Sequence, residues 1–334
     1  MNNHSHSPAA AEAILADLTA AVQRYFGLHI REATPINRGW LNLKWHIRTE
    51  EGTYLLKQYN QKRFALYDPA DLAVAFSEQA RLHAAGLPCP LLFAHDGRFL
   101  LESAHGERFL VMEFCEGQLV SPGKASQAQM YDLGRVTGRM HRLLNDGSIA
   151  IAGRKQPQFV PPERAQRLAH WHSVWQNVQH AGNTELQGFV EQQIIATEKL
   201  ELSPFEALHS GWAHRDLWVD NLLFAADRVT AVLDFDRMKY DYPQLDVARA
   251  ILSCALDEQL DPALARAFLS GYKEVHPVEH GYLTTGIQLL WYLESVWWIT
   301  ADMDRHSAPP ARFAKEMIWL AKHLDSLPDL LGDL

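Results

Sequence analysis

The chain has 334 residues, 47% hydrophobic and 21% charged, which is the make-up of a globular protein rather than a disordered or fibrous one. Its 31 basic against 40 acidic residues leave a formal charge of −9, which excludes a generic binder of nucleic acid or of an anionic membrane surface. Cys89, Cys115 and Cys254 are scattered and form no C-x-x-C pair, which excludes a disulfide framework and a cysteine zinc site; a cytoplasmic protein is expected.

Residues 9–26 alternate with helical rhythm, carry Glu12 and Asp17 among their apolar positions and lack a basic leader, so a helix is predicted here and not a signal peptide. The runs LNLKWHIRT and TYLLKQY, joined at Glu51 and Gly52, read as a hairpin. Asp68 and Pro69 supply an N-cap and a first helical position for a helix over 69–85. RFLLE and ERFLVMEF read as two more strands, and residues 128–144 place Met130, Leu133, Val136, Met140 and Leu144 on one helical face. The stretch 160–208 reads as helical, VTAVLDFD as a short β run, and helical periodicity returns from residue 244 to the end. IQLLWYLESVWWIT, the most apolar C-terminal stretch, carries Glu294 and is too short to span a bilayer.

The most informative segment is HRDLWVDNLLF, which contains His214-x-Asp216-x4-Asn221, with Asp234 thirteen positions beyond Asn221. Phosphoryl transfer needs reactants positioned and charge neutralised. An aspartate orients the attacking hydroxyl and accepts its proton, while an asparagine and a second aspartate hold Mg²⁺. Asp216, Asn221 and Asp234 fit those roles in that order. Without that context, His214 and Asp216 would be residues of a buried turn that satisfy backbone groups.

HRDLWVDNLLF followed by VLDFDRMKYDYPQLDVARAIL resembles the phosphotransferase-enzyme superfamily of aminoglycoside phosphotransferases, choline kinases and one type of homoserine kinase, over about residues 30–275. The resemblance implies an α+β, protein-kinase-like bilobal fold: a β-rich N-terminal lobe over 1–115 and a mainly helical C-terminal lobe over 116–334. It makes Lys57 the strand lysine that holds nucleotide phosphates and Glu78 its ion-pair partner. The run FLVMEFCEG resembles the hinge, where the backbone of Glu113 and Cys115 would meet the adenine edge and Met112 would line the pocket behind it. ATP is the implied donor, with GTP left open because hinge contacts are made by backbone. His214 and Asp246 resemble the brace of the catalytic loop, with Arg249 one turn after Asp246.

Asp236 carries two readings: a further metal or substrate contact on the same strand face as Asp234, or a solvent-facing residue at the strand end. The covering loop INRGWLN has only Gly39, and no G-x-x-x-x-G-K-[ST] occurs anywhere, so a P-loop fold is not supported.

Twelve positions separate Asp234 from Asp246, too few for a long activation segment, and 73 separate His141 from His214, where extra helices would form an acceptor site. The implied substrate is a small-molecule alcohol: an aminoglycoside-like antibiotic, homoserine, an amino alcohol or a sugar. Glu294, Trp298 and Asp302, with Trp171, Trp175, Trp291 and Trp297, are candidates for lining the acceptor site, against a plain core role for the tryptophans. The alternatives are a compact bacterial Ser/Thr protein kinase, which shares the catalytic loop, and a nucleotide-binding regulatory module without turnover.

Overall fold

The computed structural model describes residues 7–37, 42–149, 156–306 and 310–332, so Gly39 of the expected covering loop lies outside the described residues. The chain forms two units, one of residues 1–118 with 230–238 and the other of 119–229 with 239–334.

In the first unit, helix α1 (Pro8–Phe26) starts at Ser7, whose hydroxyl accepts the Ala10 N–H, and stops at Gly27 in the left-handed region. Strands β1 (Glu32–Pro35), β2 (Lys44–Arg48) and β3 (Thr53–Tyr59) are followed by the short α2 (Gln61–Phe64) and by α3 (Pro69–Ala84). Strands β4 (Leu101–Glu102) and β5 (Arg108–Glu113) complete an antiparallel sheet of order β1-β2-β3-β5-β4. Asp68 caps α3 through the Ala70 N–H, with Pro69 in its first turn, the signal legible in the sequence.

Period-two alternation divides β3 between two cores. Leu56 joins Leu18, Val22, Trp45, Ile47, Phe109 and Val111 under α1, while Tyr59 joins Leu72, Phe76, Leu92, Leu110 and Met112 beside α3. Lys57 lies between Leu56 and Gln58 on β3, in register with Lys44 on one side and Leu110 on the other, and is 3% exposed.

The second unit is mainly helical. Helices α4 (Gln127–Leu144), α5 (Arg164–His180), α6 (Thr184–Lys199) and α7 (Ser203–Glu206) precede strand β6 (Gly211–Ala213) and the hairpin β7 (Leu222–Ala225) and β8 (Arg228–Val232). Residues 230–238 then group with the first unit, a departure from the boundary expected at residue 115. The reason is local: the Val232 N–H donates to the Pro88 carbonyl, and the residues after it meet the β3 side chains.

Strand β9 (Lys239–Asp241) returns to pair antiparallel with β6. Helices α8 (Pro243–Ala255), α9 (Pro262–Lys273), α10 (Tyr282–Trp298), α11 (Pro310–His323) and α12 (Leu327–Leu331) follow. Every residue of α8 from Gln244 to Ala255 is buried, so it is the central helix of this unit.

Two glycines let α4 and α9 cross closely. A Cβ on Gly134 would sit 1.9 Å from the Phe268 carbonyl, and one on Gly271 2.0 Å from the Tyr131 carbonyl. Among the described residues no helix is long and apolar enough to cross a membrane.

Candidate active site

In the second unit the strand pair β6–β9 delivers the catalytic-loop sequence. Asn145 anchors the pair by accepting the Trp212 N–H at 2.7 Å and donating to the Trp212 carbonyl at 3.0 Å. The next residues turn sharply, with Arg215 at φ 63°, a left-handed conformation that is strained for a non-glycine residue. Asp246, at the start of α8, fixes that turn: its two oxygens accept the N–H groups of His214 (2.6 Å) and Arg215 (2.7 Å).

His141 of α4 adds a third contact to Asp246 at 3.0 Å, and its other ring nitrogen meets the Tyr272 hydroxyl at 2.8 Å. Burial alone would raise the pKa of Asp246, but the His141 hydrogen bond and charge outweigh it and hold the carboxyl below its usual range. His214 is fully buried, and its Nδ1 accepts the Asp216 N–H at 3.2 Å.

The loop closes in a 3-10 turn at Val219–Asn221, which brings Asn221 back to Asp216. Its Nδ2 donates to the Asp216 carbonyl (2.9 Å) and to Asp216 Oδ2 (2.8 Å). Both amide protons of Asn221 are thereby donated, and its Oδ1 is the acceptor atom of the side chain. Asp216 is half-buried, which suits a carboxylate that meets a substrate hydroxyl.

In the first unit, Lys57 Nζ lies 2.6 Å from Asp234 Oδ1 and 2.5 Å from Asp236 Oδ2, and Tyr59 donates its hydroxyl to Asp236 Oδ1 at 2.8 Å. Burial would lower the pKa of Lys57, yet the two carboxylates raise it well above the ordinary lysine value. Burial likewise works against ionised Asp234, but Lys57, with Lys44 at 3.8 Å, holds it far below the carboxylate range. Asp236 goes the other way: burial, opposed by Lys57 and reinforced by the Asp234 charge, pushes it up.

The expected partner of Lys57 was Glu78, and this is corrected. Glu78 is buried on α3, but its Oε2 is taken by Arg81 at 2.6 Å, one helical turn on, and among the described residues Lys57 pairs only with Asp234 and Asp236. The reading of Asp236 is corrected too. The strand ends at Val232, Asp234 adopts φ 65° and opens a 3-10 turn at Phe235–Arg237. Asp236 therefore does not share a strand face with Asp234; it is 7% exposed and so not solvent-facing, and its two oxygens meet Lys57 and Tyr59.

At the end of β5, Glu113 gives its backbone N–H to the Leu91 carbonyl (2.8 Å) and accepts the Leu91 N–H on its carboxylate (3.2 Å). Cys115 follows two residues later, half-buried, and among the described residues no hydrogen bond engages its N–H. Burial first, then the Glu113 charge, pushes its thiol up to about 12, so it stays protonated. Met112 is buried at the level of Leu55, in the cluster of Tyr59, Phe76 and Leu92.

The acceptor-site candidates separate. Glu294 is buried, bonded by Arg249 and 3.6 Å from Arg215, so it belongs to an ionic chain and does not line an open wall. Trp171 and Trp291 are fully buried core, and Trp175 donates to Glu191. Trp298 packs at 4.7 Å against Phe313, and exposed Asp302 accepts the Thr300 hydroxyl in a turn, a bond that lowers its pKa.

That ionic chain was not foreseen. Arg215 donates to Asp241 (2.7 Å) and reaches Glu294; Arg249 links Glu294 to Glu316 (2.6 Å); Arg312 links Glu316 (3.5 Å) to Asp220 (3.4 Å). It starts and ends on the catalytic loop. Tyr59, two positions after Lys57 on the same strand face, was findable by period two; Glu294 and Glu316, on other helices far along the chain, carried no local signal.

Among the described residues no three His, Cys, Asp or Glu side chains are grouped as metal ligands. Asn221 and Asp234, expected to hold Mg²⁺, offer an amide oxygen and an ionised carboxylate, the hard oxygen donors such an ion takes.

The profile of the phosphotransferase enzyme family matches residues 32–282. A homoserine kinase of Acidiphilium cryptum (strain JF-5) is 30% identical over 246 residues, 73% of this chain and 72% of its own. Among solved structures, spectinomycin phosphotransferase in complex with ADP and spectinomycin has a TM-score of 0.64 at 13% identity, covering 93% of this chain and 98% of its own. Choline kinase from Cryptosporidium parvum Iowa II has a TM-score of 0.55 at 14% identity, covering 96% and 98%. The solved structures carry the fold, α+β and protein-kinase-like, and the sequence relatives carry the reaction class, a kinase acting on a hydroxyl group. With its profile match running through both the Lys57 strand and the catalytic loop, this chain belongs to the phosphotransferase enzyme family.

Proposed function

We propose that this enzyme transfers the γ-phosphoryl group of ATP to the hydroxyl of a small molecule, with Mg²⁺ as the metal. The observation that carries the reading is the Asp216–Asn221 pair on a loop whose strained backbone is held by Asp246. Asp216 would orient the acceptor hydroxyl and take its proton as the new oxygen–phosphorus bond forms and ADP departs. Lys57, kept protonated by its carboxylates, would hold nucleotide phosphates, and the Cys115 N–H would meet the base.

Asn221 and Asp234 would hold the metal. Bound there, Mg²⁺ would neutralise charge on the phosphate oxygens.

The relatives named homoserine kinases make homoserine the first acceptor to test. ADP release from purified enzyme is measured against homoserine, choline and an aminoglycoside, each with and without Mg²⁺. Asp216→Asn should lower turnover by about 10²- to 10⁴-fold while the protein stays folded. Full turnover by a folded Asp216→Asn variant would remove Asp216 from this role.

A further inference from the structure

We propose that Arg167 anchors an anionic group of the acceptor, and that the acceptor carries a carboxylate beside the hydroxyl it presents. This rests on the phosphotransfer reading above.

The buried arginines of the second unit are matched to carboxylates with one exception. Arg249 lies between Glu294 and Glu316, and Arg215 is joined to Asp241. Arg167 is just as buried, 7% exposed, yet among the described residues no carboxylate pairs with it. Its guanidinium lies 5.0 Å from the centre of the Tyr292 ring, and its Nε is shut away from solvent without a hydrogen-bond acceptor. Burial lowers its pKa, opposed only by the Tyr292 hydroxyl, whereas at Arg249 burial is outweighed by the two glutamates and the pKa is raised. A guanidinium does not shed its proton at physiological pH, so the charge persists and its counter-ion is missing.

Its position ties it to the catalytic loop. The segment before α5 donates from the Gln158 N–H to the Tyr240 carbonyl (2.9 Å) and sets the Phe159 ring 5.7 Å from the Arg215 guanidinium. It then places the Pro162 carbonyl on the Tyr292 hydroxyl (2.9 Å). Arg167 follows in the first turn of α5, over that same tyrosine. The residue immediately before Asp216 and the unmatched guanidinium are thus bridged by one short stretch of chain.

The chemistry selects the ligand. A guanidinium presents a planar fork of donors that fits a carboxylate. The neighbouring Arg164 has its donors on the Glu198 and Leu200 carbonyls, so a single guanidinium fork is on offer, which fits the two oxygens of one carboxylate better than a phosphate that needs several donors.

The test pairs L-homoserine and 4-hydroxybutanoate with their primary amides and with a hydroxyalkyl phosphate, in wild type and Arg167→Met, by phosphoryl transfer and by thermal unfolding. Wild type should prefer each acid over its amide by about 10- to 100-fold in kcat/KM. Arg167→Met should lose that preference, keep the amide rate within about threefold, and show no fall in its ligand-free unfolding temperature, because the residue removed is an uncompensated charge. Equal rates for acid and amide in wild type, equal loss of both in the variant, or preference for the phosphate would overturn the proposal. If no alcohol is phosphorylated the phosphotransfer reading fails. Arg167 is then judged on whether the acids raise the unfolding temperature of wild type and not of Arg167→Met, and the absence of such a rise overturns it.

Discussion

Lys57 is a buried cation between two carboxylates, and which of them positions it can be separated by mutation. Asp234 is also the expected metal ligand, whereas Asp236, locked by Tyr59, has both oxygens committed within the first unit. Asp236→Asn should therefore weaken Mg·ATP by about tenfold, the scale of one charge-assisted hydrogen bond. Glu78→Gln, whose partner is Arg81, should leave affinity unchanged. Equilibrium titration of both variants checks this; a Glu78→Gln loss matching that of Asp236→Asn would return the ion pair to α3. Arg215 and Asp234, at φ 63° and 65°, are strained at the two segments the motif singled out, and each is held by charges from elsewhere in its own unit.

Helices α8, α10 and α11 act together through the ionic chain that leaves the catalytic loop at Arg215 and returns to it at Asp220. Buried ion pairs add little net stability compared with apolar packing, but breaking one is costly. Arg249→Met takes the shorter ion pair from both Glu294 and Glu316 and leaves them only the longer contacts with Arg215 and Arg312, and should destabilise the protein by about 3 kcal/mol. The triple change Arg249→Met, Glu294→Leu and Glu316→Leu should regain most of that loss, yet still lower kcat more than it raises KM, because the loop has lost its tether. Chemical denaturation and steady-state kinetics read the two effects separately. A triple variant with wild-type kcat would make the chain a purely structural one.

For the whole molecule, pH dependence follows from the same chain. Burial, only partly offset by Arg215, raises Asp241 from 3.8 to about 6. The folded state therefore holds this proton more tightly than the unfolded chain does. The contribution is fully present below pH 4 and is lost as pH rises through about 6, a decline on the order of 3 kcal/mol. Asp246 has the opposite sign: its depressed pKa gives stability present above about pH 4 and lost as pH falls. Comparing denaturation of wild type and Asp241→Asn from pH 4 to 7 isolates the first contribution; an unchanged slope in the variant would refute it.

The amino-acid sequence by itself determined the β2–β3 hairpin, the helix after Asp68 with its cap, the helical character of the C-terminal part, the Asp216-x4-Asn221 motif and the membership of the family. Those are encoded within windows of a few residues, where capping groups, periodicity and motif spacing act. Tertiary structure alone decided who pairs with whom. Lys57 and Asp236 are 179 residues apart, Arg249 and Glu316 67 apart, and no local rule prefers those partners over Glu78 or Arg81. The missing counter-ion of Arg167 is of the same kind. Whether a charge is matched depends on what folding brings beside it once water is gone, and sequence spacing carries no record of that.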